Sequence, residues 1–159
     1  MTLPTTTTTA THTPSLHAAE RKLFGSVYAN PLYNYIPWAV IQVGRGTRAK
    51  AVVFHLSGGA WHVDRSGTPT IDILGPKPGS VQPATPQVAI TMSSKTPLVQ
   101  SALWVDGFEL HEKGGGVSPT KGTIYGAPDL PLKKGVHVAV GYARNATNGS
   151  AVAWTFRVK

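Results

Sequence analysis

The chain of 159 residues contains no cysteine, which removes disulfides and thiolate-held zinc from consideration. It is also poor in acids. Seven Asp and Glu stand against fifteen Lys and Arg, giving a net charge of +8 and a pI near 10.0. Charged residues of both signs make up 14%, where an ordinary globular domain carries about 25%. No apolar run approaches the ~20 residues that cross a bilayer as a helix. Met1 is followed by a Thr/Pro tract with neither a basic nor an apolar stretch, so no signal peptide is visible. The chain is read as the mature part of an exported protein. Two catalytic signatures are missing as well. There is no Gly-x-Ser-x-Gly elbow, and Gly114–Gly116 lacks the Lys-Ser/Thr of a phosphate-binding loop.

What the chain has in quantity is turn-formers, with 17 glycines and 13 prolines. Together with many Thr, Ser and Val they favour short strands over helices. The clearest pattern lies at the end. Val152, Trp154, Phe156 and Val158 share one face of an extended run, and Ala153, Thr155 and Arg157 share the other. A period of two predicts a strand with one buried and one wet face, the unit of a β-sandwich.

The organisation along the chain follows from composition. Residues 1–14, MTLPTTTTTATHTP, bury too little to offset ordering and read as a disordered stalk. Residues 15–24 read as the one helix, with Ser15 as N-cap and Gly25 as stop. Runs at 38–43, 49–56 and 60–65 predict a three-strand meander, turning at Gly44–Gly46 and Ser57–Gly59. In the second run Val52, Phe54 and Leu56 share a face, which leaves His55 on the wetter one. The Pro/Gly density from 67 to 86 places a linker at 76–83. It divides a small module (15–75) from a sandwich (84–159). Strands are expected at 87–92, 98–105, 108–111, 122–125, 136–143 and 151–158, with Asp106-Gly107 as a tight hairpin turn. The fold class is mainly β: a C-terminal Ig-like antiparallel β-sandwich preceded by a small helix-plus-β-meander module.

The sequences ALWVDGFEL (102–110), PLKKGVHVAVGYA (131–143) and SAVAWTFRV (150–158) resemble bacterial immunoglobulin-like domains of exported proteins. The resemblance covers slightly under half the chain. It implies a spacer, adhesion or ligand-binding module, and it supplies no catalytic residues.

Candidate chemistry is sparse. His55 and His62 flank one hairpin but lack a third ligand at metal-binding spacing, and His111 and His137 stand on separate strands. Glu109 and Glu112 flank His111, yet so few acids do not furnish the opposed pair a glycosidase needs. No catalytic residue, metal or cofactor is therefore assigned, and the chain is not read as an enzyme. Asn145 and Asn148 begin Asn-x-Ser/Thr triplets and are read as ordinary loop residues. The expected ligand surface is the aromatic loop carrying Tyr28, Tyr33, Tyr35 and Trp38, beside the basic turn carrying Arg45, Arg48 and Lys50. Its expected partner is a cell-wall polymer or glycan, with a protein partner as a further option, at an extracellular or cell-surface location. Two alternatives stand beside this reading. One is a basic polyanion- or nucleic-acid-binding protein, for which the Lys and Arg are thinly spread. The other is a structural subunit that self-assembles through open sheet edges.

Overall fold

The computed structural model describes residues 14–159, the side chains of 115–117 excepted. The stalk expected at 1–14 lies outside the described residues apart from Pro14, whose carbonyl accepts a hydrogen bond from Trp61 Nε1 at 2.9 Å. The helix α1 spans Leu16–Phe24. Ser15 Oγ accepts from the Ala18 amide at its start, and Gly25, at φ 64°, ends it by donating to the Arg21 carbonyl.

Strands follow as β1 (Ala29–Tyr35), β2 (Trp38–Val43), β3 (Lys50–Ser57), β4 (Ala60–Val63), β5 (Thr70–Gly75), β6 (Val81–Gln82) and β7 (Val88–Ser93). They continue as β8 (Gln100–Val105), β9 (Phe108–Glu109), β10 (Lys113–Ser118), β11 (Lys121–Gly126), β12 (Gly135–Arg144) and β13 (Gly149–Val158). Among the described residues these form three sheets: a meander sheet β1-β2-β3-β4, a central sheet β6-β13-β12-β8-β9, and an outer sheet β10-β11-β7-β5. The chain is mainly β, as its turn-rich composition predicts, and the central and outer sheets form a sandwich.

The layers explain the burial. Ile90, Met92, Leu103, Val105, Trp154 and Phe156 fill the space between outer and central sheets. On the opposite face of the central sheet, Ala102, Trp104, Val138, Val140 and Tyr142 pack against Trp38, Val40 and Val53 of the meander. The far side of the meander sheet, with Ala39, Ile41 and Phe54, is in turn covered by Leu16 and Phe24 of α1. β12 is thus buried on both faces, and residues 137–143 are all buried. The strand β13 departs from its predicted half-wet character for the same reason. Ala151 and Ala153 on its supposed wet face pack beneath the meander, and only Arg157 is fully exposed. Small residues suit that face because a second sheet lies on it.

Three local expectations are corrected. The segment 28–38 is not a loop: β1 pairs with β2 from Ala29↔Val43 to Tyr35↔Trp38, giving the meander a fourth strand. The glycines 114–116, read from the sequence as a plain loop, lie within β10, which pairs with β11. The third concerns residues 70–83. β5 belongs to the outer sheet, paired with β7, and residues 76–83 are no free linker. Trp154 Nε1 donates to the Pro76 carbonyl at 3.0 Å, Gly79 to Thr155 O, and Arg157 to Ser80 O. Pro and Gly density forbids long regular elements; it does not prevent carbonyls from being held.

The two parts of the chain are joined instead at 64–69. There Asp64 accepts from the Gly149 amide (2.9 Å), the Ser66 amide (2.9 Å) and Asn148 Nδ2 (3.3 Å), while the Ser150 hydroxyl donates to Pro69 O. Burial opposes ionisation of Asp64, but these hydrogen bonds outweigh it and hold its carboxyl below the usual value. Asn145, buried in the adjacent β12–β13 turn, braces that turn by accepting from the amides of Thr147 and Asn148 and donating to Ser94 Oγ. Among the described residues no helix is long and apolar enough to cross a membrane.

Candidate functional site

A concavity lies at one end of the sandwich, beside the β8–β9 hairpin. One wall is the β8–β9 hairpin, with Val105, Asp106, Phe108, Glu109 and Leu110. The other is the connection 127–134 between β11 and β12, with Pro128, Asp129, Leu130, Pro131, Leu132 and Lys133. The cavity measures about 430 Å³. Val105 and Leu110 in its floor are core residues, whereas Phe108 and Leu130 on its two lips are each 77% exposed. Among the exposed large apolar side chains these two are the most exposed, and both border the same cavity.

His137 ties the walls together. The two-residue turn Asp106-Gly107 is left-handed, with φ 50° and 83°, as a tight hairpin demands. It points the Asp106 carboxylate back at β12. There Oδ1 accepts from the Val138 amide at 2.9 Å and Oδ2 lies 2.6 Å from His137 Nδ1. The other ring nitrogen, Nε2, is 2.5 Å from the Lys133 carbonyl. Both neighbours are acceptors, an arrangement that favours the doubly protonated ring. Burial works against that charge, but the Asp106 and Lys133 hydrogen bonds and the attraction of Asp106 outweigh it. The pKa is held above the ordinary histidine value. Leu132 adds a second anchor, donating its amide to Ala84 O at 2.8 Å.

Glu112 lies just beyond β9, where its Oε1 accepts from the Leu103 amide at 2.9 Å. Burial, aided by repulsion from Glu109, pushes its carboxyl up to about 7 despite that hydrogen bond. His111 Nε2 faces Asp129 at 3.5 Å in full solvent.

The residues expected to form a ligand surface are dispersed. Trp38 is the plainest correction: it is 3% exposed, sealed between the meander and central sheets. Its ring stacks on His55 at 4.0 Å between centroids, with the Arg144 guanidinium 5.4 Å away. His55 therefore sits on a covered face, not a wet one. It opposes His62 across β3 and β4, but among the described residues no group of three His, Asp or Glu is placed to hold a metal. Tyr33 is half-buried, its ring 6.0 Å from that of Tyr142. Tyr35 is 74% exposed at the β1–β2 turn. Tyr28 and Arg45 do meet, with the guanidinium 3.9 Å above the ring centroid. They line a shallow hollow with Asn30, Gln42 and Gly46, and Asp106 forms its boundary with the groove. Arg48 and Lys50 are exposed close by in the chain.

The strand orders give a mainly β fold, a two-sheet sandwich carrying an extra four-stranded sheet. Compared with known protein families and with curated proteins, the chain matches none. Among solved structures it is similar to PcoC, a copper resistance protein from Escherichia coli. The identity is 21%, over 55% of this chain and 99% of that one, with a TM-score of 0.34. It is also similar to a chain of the complex between titin M10 and an obscurin-like 1 Ig domain. There the identity is 20%, over 56% of this chain and 93% of that one, with a TM-score of 0.35. Likenesses this loose carry no information about ligand.

The groove escaped sequence reading for a definable reason. Asp106 and His137 are 31 residues apart and meet only through the pairing of β8 with β12 in the register Val105↔Ala139. Each residue alone reads as a turn former or a strand histidine.

Proposed function

We propose that this chain is a non-enzymatic binding module of an exported bacterial protein, working at the cell surface or wall. The carrying observation is the Tyr28–Arg45 pair, an exposed ring with a guanidinium carbon 3.9 Å from its centroid. An aromatic face beside a planar donor fork suits a sugar ring bearing an acidic group, as found in wall polymers. Arg48 and Lys50, both exposed, extend the positive surface. The bacterial Ig-like resemblance of 102–110, 131–143 and 150–158 agrees with an exported module.

The test is a pull-down on purified bacterial cell wall, on an acidic polysaccharide and on DNA, each at 50 mM and 500 mM salt. Retention on wall or polysaccharide is expected to survive high salt and to fall about tenfold in Tyr28→Ala with Arg45→Ala. Retention that vanishes equally on all three supports at high salt would reduce the interaction to the +8 charge. That outcome would favour the polyanion reading over this one.

A further inference from the structure

The Tyr28–Arg45 surface leaves the groove at the end of the sandwich unused. We propose that this groove is a second, independent binding site, for a small apolar molecule with an uncharged or amine-bearing end. Four observations lead there.

The first is size. About 430 Å³ falls within the usual range of small-molecule sites, roughly 300–1,000 Å³, and is too small to seat a helix. The second is lining. Phe108, Leu110, Leu130 and Leu132 present ring and aliphatic surface from both walls, and Val105 closes the floor. Phe108 and Leu130 are held in water at the lips, where a ligand would gain most by covering them. The third is preorganisation. The connection 127–134, which has no regular secondary structure, is held at Leu132 by Ala84 and at Lys133 by His137. The walls are therefore set before a ligand arrives, which lowers the ordering cost of binding.

The fourth observation is charge, and it selects the ligand's polar end. The lining holds three of the chain's seven acids, Asp106, Glu109 and Asp129. Asp106 is engaged by His137 and Asp129 faces His111 at 3.5 Å, and the two exposed carboxylates of Glu109 and Asp129 stand against the single ammonium of Lys133. On a protein of net charge +8 this is a locally negative rim. It disfavours an anionic head and tolerates a neutral or cationic one.

A matched pair of dyes tests this on the whole protein. N-phenyl-1-naphthylamine is apolar and uncharged, and 1-anilinonaphthalene-8-sulfonate has the same rings with a sulfonate. Saturable fluorescence enhancement of the neutral dye is expected. The double variant Phe108→Ser, Leu130→Ser should weaken it about tenfold or more, because both side chains would cover the ligand. Both positions are in solvent, so the melting temperature should hardly move. A second variant, Glu109→Lys with Asp129→Lys, should shift preference toward the sulfonated dye while retaining the neutral one. Tyr28→Ala with Arg45→Ala should leave dye binding unchanged, which separates this site from the wall-binding surface. Non-saturable binding, unchanged affinity in the Phe108/Leu130 variant, or tighter binding of the sulfonated dye to the natural protein would each overturn the proposal.

Discussion

Trp38→Ala is expected to cost about 3–5 kcal/mol of stability, enough to bring the whole protein close to unfolding. The residue sits in the cluster that joins meander and central sheets, among Val40, Val53, Trp104, Val138, Val140 and Tyr142. Its removal leaves a cavity that no neighbour readily fills. Gly149 lies directly against it, where even an added Cβ would stand 3.3 Å from the Trp38 ring, and β13 is held there by its ten-residue pairing with β12. The His55 stack and the Arg144 contact are lost as well. Tyr35→Ala, at a 74% exposed position three residues earlier, is the control and should change stability by no more than about 0.5 kcal/mol. Urea unfolding of the two variants against the natural chain reads both results. A loss below 1 kcal/mol in Trp38→Ala would mean that the two sheets are not packed as described.

Asp106→Ala should be nearly as damaging. It removes the acceptors of a buried backbone amide, that of Val138, and of the His137 ring in one step. Each orphaned donor costs about 1–3 kcal/mol. The turn itself also suffers, since alanine tolerates a φ of 50° less well than aspartate. The pH dependence carries the sharper signature. His137 has a folded pKa raised above its unfolded value of about 6.5. Its stabilisation is therefore complete below that unfolded value and is lost as pH rises through the folded pKa. Glu112 adds a fall of its own at lower pH. With a folded pKa near 7 against 4.5 unfolded, the cost of burying its charge appears between those values as pH rises. The comparison that isolates the pair is thus the difference between the natural chain and Asp106→Ala, which should be larger at pH 5.5 than at pH 9. An equal difference at both would show that His137 is not held as an imidazolium.

The chain states its local structure more fully than its assembly. Ser15 and Gly25 mark the helix ends, and Asp106-Gly107 marks its hairpin, because capping and left-handed turns depend on residues a few positions apart. The alternation in 152–158 gives the strand and its inward face correctly. It leaves unstated that Ala151 and Ala153 lie under another sheet, since a small residue facing water and one facing a close-packed layer look alike. The same ambiguity made Trp38 a surface candidate. An aromatic residue between two prolines and a strand reads as a recognition residue until the partner sheet is placed on it. β1 was hidden because Pro31 sits within it; as an edge strand it tolerates the missing donor. Of the seven residues expected to bind ligand, Tyr28, Tyr35, Arg45, Arg48 and Lys50 remain exposed, while Tyr33 and Trp38 are drawn into packing. The groove depends on the 127–134 connection folding against a hairpin some twenty residues away, and no local pattern encodes that.

All of these conclusions rest on the meander sheet and the sandwich forming one cooperative body, with the central sheet covered on both faces. Native-state hydrogen exchange tests this most directly. Buried amides of β2 and β3 in the meander and of β7 and β11 in the outer sheet should exchange with one common free energy, that of global unfolding. Exchange of the β2 and β3 amides at a distinctly lower free energy, with β7 and β11 still protected, would contradict it and return the chain to two separately stable modules.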